Sequence, residues 1–584
     1  MITVEKNVQL VISLLKAYGI HRVIVSPGTA NVTFVGSIQD DDFFTLYSCI
    51  DERSAAYMAC GMSAETGEPV VISCTGATAS RNYMSGLTEA FYRKLPVLAI
   101  TSHEGFDLLG RLIPQQIDRR ESPSDIAVKK VLIPFIHDER DKIYCEDEIN
   151  KALLSLTQNG GGPVVMNLFT HNNNNFSVKE LPHARRIKYY DTNSDFPRLP
   201  EGKIVIFIGS HKEFSEGETH VLESFCSQHN AVIFKDHTSG YHGKYAVMPA
   251  LIFGQEILAN DFKEIDLLLH IGEVSGDYKG MQIAPKHVWR ISEDGQVRNL
   301  FNTLEAVFQL NEKDFFGRYL KSEAKTSTST YNQYHEEYER LLGEIPELPY
   351  SNIWIAQQLS NKLPDYSELH LGILNSLRSW NFFELKEHIQ SSCNVGGFGI
   401  DGILSALVGA SLVNPDKLYF CVVGDLAFFY DLGILGNRHK GKNLRIILIN
   451  NGCGTEFKNY SHMSHVLGTE HIAPYIAAEG HYCTSQDSVV EAYSRTLGFK
   501  YWCAKDKQEF ACAIDEMLQE NNQSCIIEVR VNSQDESDAL FQVLHVNGTR
   551  KTDYESSSLK ERIKSALGED IMTGFRNIKE KLRN

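Results

Sequence analysis

No apolar run in these 584 residues reaches the roughly 18–20 needed to cross a bilayer as a helix. The opening stretch, MITVEKNVQL, has no basic region followed by an apolar one, so no secretory signal is expected. Positive charge is short as well. Lys and Arg number 57 against 74 Asp and Glu, a formal net charge of −17. Such a chain lacks the basic face of a nucleic-acid scaffold. The 12 cysteines include no CxxC pair and no even framework. Cys49, Cys74 and Cys421 fall inside apolar runs, where a free thiol packs as a small hydrophobe. These absences lead us to expect a soluble, cytoplasmic protein with reduced thiols and with neither a nucleic-acid nor a membrane partner. What is present is ordinary for a globular chain, 42% hydrophobic and 22% charged, with length for about three or four domains.

Strand-like and helix-like patterns alternate along the first third. Val8, Val11 and Leu15 share a helix face that Gly19 would end. Residues 22–25, 43–50, 70–74 and 97–101 read as strands, and 52–65 and 78–93 as helices. Ser26-Pro27-Gly28 marks a turn. The middle third has apolar runs at 204–208, 232–235 and 267–271. The last third has strand-like runs at 369–374, 418–423, 444–449 and 526–531, with helices expected at 400–413 and 427–439. Alternation of this kind implies parallel sheets covered by helices. The fold class is α/β. Polar segments around residue 185 and between 321 and 347 divide the chain into 1–184, 185–345 and 346–548, and a polar tail follows at 549–584, with an amphipathic helix expected at 559–567. The two outer thirds read as two versions of one architecture.

The most informative segment is Cys421-Val-Val-Gly-Asp-Leu-Ala-Phe-Phe-Tyr430 with Leu444-Arg-Ile-Ile-Leu-Ile-Asn-Asn-Gly-Cys453. Asp425 and Asn451 stand 26 residues apart (451 − 425), about one strand–helix–strand unit. Parallel strands would bring both to one carboxyl edge, where open α/β sheets bind ligands. A carboxylate, an amide oxygen and a nearby backbone carbonyl are hard ligands suited to Mg2+ or Ca2+ carrying a phosphate. Taken alone, the pair also fits two solvated strand ends. A third block, Ile50-Asp51-Glu52-Arg53-Ser54-Ala55-Ala56, sets an acid between a strand and a helix rich in small residues. By itself Glu52 reads as an ordinary acid of a first helical turn.

Together these blocks resemble thiamine-diphosphate (ThDP) enzymes of the pyruvate decarboxylase and acetolactate synthase type, and within them the menaquinone-pathway synthase branch. Further matching blocks are Ser26-Pro27-Gly28, 51–61, 74–79, Asn375-Ser376-Leu377, Gly399-Ile400-Asp401-Gly402 and Tyr430-Asp431-Leu432. The resemblance implies a three-domain ThDP-enzyme architecture, each domain a mainly parallel sheet flanked by helices: a pyrimidine-binding domain, a central domain and a diphosphate-binding domain. It implies ThDP and Mg2+ as cofactors and a homodimer or homotetramer with active sites between chains. Asp425 and Asn451 would ligate the metal through side chains and Cys453 through its carbonyl. Thr75, Gly424, Leu426 and Ala427 would line the cofactor, and Ile400 would hold it bent. Glu52 would hydrogen-bond the aminopyrimidine and promote the imino tautomer that removes the thiazolium C2 proton. His103 and Gln115, or its neighbour Gln116, lie where relatives place catalytic groups.

The chain departs from the synthase branch at its carboxylate-binding arginines. Thr29-Ala30-Asn31 replaces a Ser-Arg, Ser102-His103-Glu104 an Asp-Arg-Pro, Trp380 an Arg, and Asn394-Val395-Gly396 an Asn-Arg-Gly. Ala30, Asn31, Arg378, Trp380 and Val395 thus become the expected substrate residues. An Arg–carboxylate fork is charge-assisted and other side chains do not reproduce it. The substitutions therefore favour a pyruvate-like 2-oxo acid over 2-oxoglutarate. The expected function is decarboxylation of that acid with transfer of the acyl unit to an acceptor, a decarboxylase/carboligase of the transferase or lyase kind. The alternatives are the branch's own reaction, 2-oxoglutarate with isochorismate, and a noncatalytic assembly subunit. Intact Glu52, Asp425 and Asn451 weigh against the last.

Overall fold

Aliphatic and β-branched runs build nineteen strands among the described residues of the computed structural model, which are 1–171, 173–322, 326–481, 489–520 and 522–548. In chain order they are β1 (Arg22–Val25), β2 (Thr45–Ser48), β3 (Val70–Thr75), β4 (Val97–His103), β5 (Lys129–Ile133), β6 (Val164–Phe169), β7 (Lys188–Tyr190), β8 (Ile204–Ile208), β9 (Ala231–Phe234) and β10 (Ala246–Val247). They continue with β11 (Leu267–Ile271), β12 (His287–Ile291), β13 (Leu304–Phe308), β14 (Glu368–Leu371), β15 (Gln390–Cys393), β16 (Tyr419–Gly424), β17 (Leu444–Asn450), β18 (Lys500–Ala504) and β19 (Cys525–Arg530). The expected tail helix lies outside the described residues.

One unit comprises residues 1–196 and 294–309. Its six-stranded sheet runs β2-β1-β3-β4-β6-β5, and β13 pairs with β7. Every pairing is parallel. One face buries Val8, Val11, Phe34, Leu98 and Ile100, and the other buries Ala55, Ala59, Ile72, Ala99 and Leu87. Sheets covered on both faces need strands apolar on both sides, which is why β3 and β4 read as unbroken apolar runs.

The second unit comprises residues 197–293 and 310–584. It holds the parallel strands β10-β9-β8-β11-β12 and a six-stranded parallel sheet ordered β15-β14-β16-β17-β19-β18. Numbered within itself, that last sheet has the order 2-1-3-4-6-5 of the first unit's sheet. The likeness of the outer thirds is therefore one of topology. In each sheet the strand order reverses between the second and third positions, and such reversals open a crevice at the carboxyl ends.

Two helices differ from expectation. The stretch 78–93 divides into Ala77–Asn82 and Met84–Arg93. The helix after β16 stops at Tyr430 and gives way to a short 3-10 turn, Leu432–Gly436. Asp431 ends it because its carboxylate is taken by the start of the helix Ile403–Val413, accepting from Ser405 N at 2.6 Å and Ser405 Oγ at 2.7 Å. Among the described residues no helix is long and apolar enough to cross a membrane, and the eleven cysteines there are free.

Candidate active site

Asp425 is the first residue after β16, and Asn451 the first after β17, so the parallel pairing of these strands brings both to one carboxyl edge. Asp425 is 5% exposed. Its Oδ1 accepts from Leu426 N at 2.7 Å and its Oδ2 from Gly452 N at 2.6 Å. Burial pushes its carboxyl up to about 6 against those lowering bonds. Asn451 Oδ1 accepts from Cys453 N at 3.3 Å. The Cys453 thiol is buried, packs 3.6 Å from Thr455 Oγ1 and is pushed up by desolvation. A soft thiol matches a hard cation poorly, so the backbone carbonyl is the candidate donor at that residue.

These groups open onto a cleft of about 220 Å3 whose walls include Ile400, Gly424, Leu426, Ala427, Asn451 and Cys453. A Cβ added at Gly424 would meet nothing within 4 Å, so the space over the strand end is clear. Asn352 and Glu536 also face this cleft, and the sequence reading missed both. Asn352 Oδ1 is buried without a partner, and Asn352 N donates to Glu536 Oε1 at 3.0 Å. Burial raises the Glu536 carboxyl to about 8. Hard oxygen donors, clear space over Gly424 and an orphaned amide oxygen fit a metal-bound diphosphate.

A second cleft shares Leu374 and Glu456 with the first. It contains Lys279 and Arg378. Arg378 is an expected site residue, half-buried and paired with Glu456 at 2.8 Å. Lys279 was not anticipated. It sits in the loop after β11, and burial together with Arg378 depresses its ammonium. Its signal was available, since a Gly-Asp-Tyr-Lys loop follows an apolar strand at the sheet edge. Two expected substrate residues sit elsewhere. Trp380 has no exposed surface and its indole Nε1 lies in the core without a partner. Val395 is 4% exposed and packs against Gly276.

In the first unit, Asp51 caps the helix Glu52–Thr66 by accepting from Arg53 N at 2.9 Å and Ser54 N at 3.3 Å. This N-cap fixes the half-buried Glu52 in the first turn. Asn82 Nδ2 donates to Glu52 Oε2 at 3.2 Å. Thr75 ends β3 and lies so near the Ser26-Pro27-Gly28 turn that a Cβ on Gly28 would fall 2.7 Å from Thr75 Cβ. Glycine is required there by close approach.

His103 ends β4, 6% exposed, between Phe106 and Phe169 at ring distances of 4.7 and 4.8 Å. Burial, then Arg119, depresses it to about 3, so its imidazole is neutral. Nδ1 accepts from Gly105 N at 3.2 Å, which places the proton on Nε2, and Nε2 has no partner. Gln115 is exposed in the following loop at φ +67°, a conformation uncommon outside glycine. Gln116 is half-buried beside it. Ala30 is half-buried and its carbonyl accepts from Thr170 Oγ1 at 2.8 Å. Asn31 differs from expectation. It is 1% exposed, donates to Ser26 O at 3.2 Å and accepts from Ser73 Oγ at 2.6 Å, so its amide is spent on bracing the turn.

Two sheets of one topology, each with polar groups at its carboxyl edge, and a hard-donor cleft suit a protein that binds a metal-held diphosphate, and comparisons with known proteins name thiamine diphosphate. Residues 6–122 match the thiamine pyrophosphate enzyme N-terminal TPP binding domain, and residues 376–529 match the thiamine pyrophosphate enzyme C-terminal TPP binding domain. The chain is 27% identical over 569 residues to the 2-succinyl-5-enolpyruvyl-6-hydroxy-3-cyclohexene-1-carboxylate synthase of Bacteroides fragilis, covering 93% of this chain and 99% of the relative. The synthase of the same name from Bacteroides thetaiotaomicron is 28% identical over 558 residues, with 93% and 98% covered. That of Flavobacterium johnsoniae is 26% identical over 515 residues, with 80% and 89% covered. The chain thus carries matches to both thiamine pyrophosphate enzyme cofactor-binding domains and is similar along most of its length to these synthases.

Proposed function

We propose that this enzyme decarboxylates 2-oxoglutarate and joins the remaining four-carbon acyl unit to isochorismate, as a 2-succinyl-5-enolpyruvyl-6-hydroxy-3-cyclohexene-1-carboxylate synthase. The observation that carries this reading is the Lys279–Arg378 cleft sharing two walls with the Asp425–Asn451 cleft. The recess is lined by Asp277 and Glu456 as well as by Lys279 and Arg378. With Arg378 paired to Glu456, the Lys279 ammonium is the group it offers a donor's second carboxylate, and the similarity to the named synthases agrees with that. The preference for a pyruvate-like donor rests on the missing arginines. Lys279 weakens it, since a cation outside the compared blocks supplies charge.

Thiamine diphosphate, when bound, supplies the electron sink for the pair released with CO2. Asp425, Asn451 and the Cys453 carbonyl would hold Mg2+ and through it the diphosphate. Glu52 would share a proton with the aminopyrimidine, and Ile400 would set the cofactor's bend. Lys279 would bind the donor's distal carboxylate, with Arg378 holding the wall through Glu456. Neutral His103 would offer a hydrogen bond from Nε2, and Gln115 an amide. Leu374, Ile449 and Phe457 line the cleft with apolar surface that excludes water.

We keep the division into a pyrimidine-binding domain (1–184), a central domain (185–345) and a diphosphate-binding domain (346–548), which the three groups of parallel strands support. A homo-oligomer with active sites between chains is supported by the helix Glu52–Thr66. It leaves Tyr57 and Met58 exposed at 47% and 36%, and Gly61 has no atom within 4 Å of its Cβ position. Free cysteines and the absence of an apolar spanning helix among the described residues support a cytoplasmic location.

Lys279→Met tests the reading. KM for 2-oxoglutarate should rise by about tenfold or more while ThDP affinity holds, as loss of a charge-assisted contact costs on the order of 1.5–3 kcal/mol. An unchanged KM would remove Lys279 and the argument built on it.

A further inference from the structure

The loop between β4 and β5 carries a cation that forms no ion pair among the described residues. Arg119 is half-buried, and both terminal guanidinium nitrogens, Nη1 and Nη2, are fully buried without a hydrogen-bond partner. Among the described residues no carboxylate pairs with it. Arg81, another cation that lowers its pKa further, lines the same cavity and donates from Nη2 to Asp118 O at 2.9 Å. Burial is the main cause that depresses the Arg119 guanidinium to about 10. A desolvated, unpaired guanidinium is costly and is kept where a ligand completes it.

Its position defines that ligand. Arg119 Nη2 lies 3.4 Å and His103 Cβ 3.2 Å from the Cβ position of Gly76, so the two side chains come together just past the carboxyl end of β3. Thr101, Tyr83, Asn167, Arg81 and Glu121 line a cavity beside Arg119. The Nε2–H of His103 is also unpartnered, so two donors without acceptors share one edge. We propose that Arg119, with His103, forms a carboxylate-binding site at the carboxyl edge of the first sheet and fixes an acidic substrate there. The site rests on the acidic-substrate reading above and adds a cation that the arginine comparison did not count. A planar carboxylate takes two parallel N–H···O bonds from Nη1 and Nη2, which a lysine cannot reproduce. The carboxylate belongs to the acyclic donor or to the ring acceptor.

Isothermal titration of the ThDP- and Mg2+-loaded enzyme with glutarate and with benzoate separates the two sources. Wild type should bind at least one. Arg119→Gln should weaken that binding by about tenfold or more, with Arg119→Lys in between. Arg119→Met should also raise Tm, because it removes a buried unpaired charge, whereas loss of a structural ion pair would lower it. Arg119→Gln that binds both anions like wild type, wild type that binds neither, or a Tm that falls in Arg119→Met would each overturn the site. Arg119-dependent binding in an enzyme that does not turn over 2-oxoglutarate would leave the anion site standing and remove the donor assignment instead.

Discussion

The backbone N–H of Gly452 donates to Asp425 Oδ2 at 2.6 Å, tying the loop after β17 to the first residue after β16. The bond spaces Asp425 and Asn451 before any cation arrives. A site ordered in advance loses less conformational entropy when it binds.

Asp425→Ala should therefore abolish Mg2+-dependent retention of ThDP, weakening it by about 10–100-fold or more. Chelation of the metal in the unaltered enzyme should release ThDP in the same way. Equilibrium dialysis with and without Mg2+ reads both, and unchanged affinity in the variant would remove Asp425 from the metal.

Glu52→Gln should keep ThDP, because the proposed assignment gives the metal and the diphosphate to Asp425, Asn451 and the Cys453 carbonyl. It should slow exchange of the bound cofactor's C2 proton by about 10²–10⁴-fold, the usual contribution of a positioned acid or base. Proton NMR of quenched exchange reactions measures this. Exchange at the wild-type rate would leave Glu52 a helix-turn acid only.

His103 sets a pH dependence. Its folded value near 3 lies below the usual 6.5. Above that usual value neither the folded nor the unfolded chain is protonated at this residue, and its full contribution to stability is present. As pH falls from about 6.5 toward 3, the unfolded chain takes up a proton that the folded chain refuses. Stability then drops by up to about 1.4 kcal/mol per pH unit. His103→Gln should flatten the fall of Tm between pH 6.5 and 4.5. An identical slope in variant and wild type would contradict the buried neutral imidazole.

Much of the fold was legible because its central strands are covered on both faces. β8, β11, β16 and β17 each read as an unbroken apolar run. The sequence reading missed the edge strands β5, β15 and β18, and also β6, β7, β10, β12 and β13, so exposure at an edge explains only some of the misses. An edge strand is half exposed, so Lys129-Lys130 in β5 and Gln390-Ser-Ser in β15 interrupt the apolar signal. The placing of Asp425 and Asn451 at one carboxyl edge was legible because both directly follow such apolar runs. Asn31 was misread because position alone does not show that its amide turns inward to Ser73. Lys279 and Arg119 were missed because each lies in a loop, and only folding brings the one beside Arg378 and the other beside His103.

The most direct test of the central claim is CO2 release from a panel of 2-oxo acids, pyruvate and 2-oxoglutarate among them. Each is supplied with ThDP and Mg2+ present or omitted, and with or without isochorismate. The account predicts cofactor-dependent turnover of 2-oxoglutarate well above that of pyruvate, with a ligated product when isochorismate is present. Preferential turnover of pyruvate would contradict it and return the donor pocket to the smaller acid.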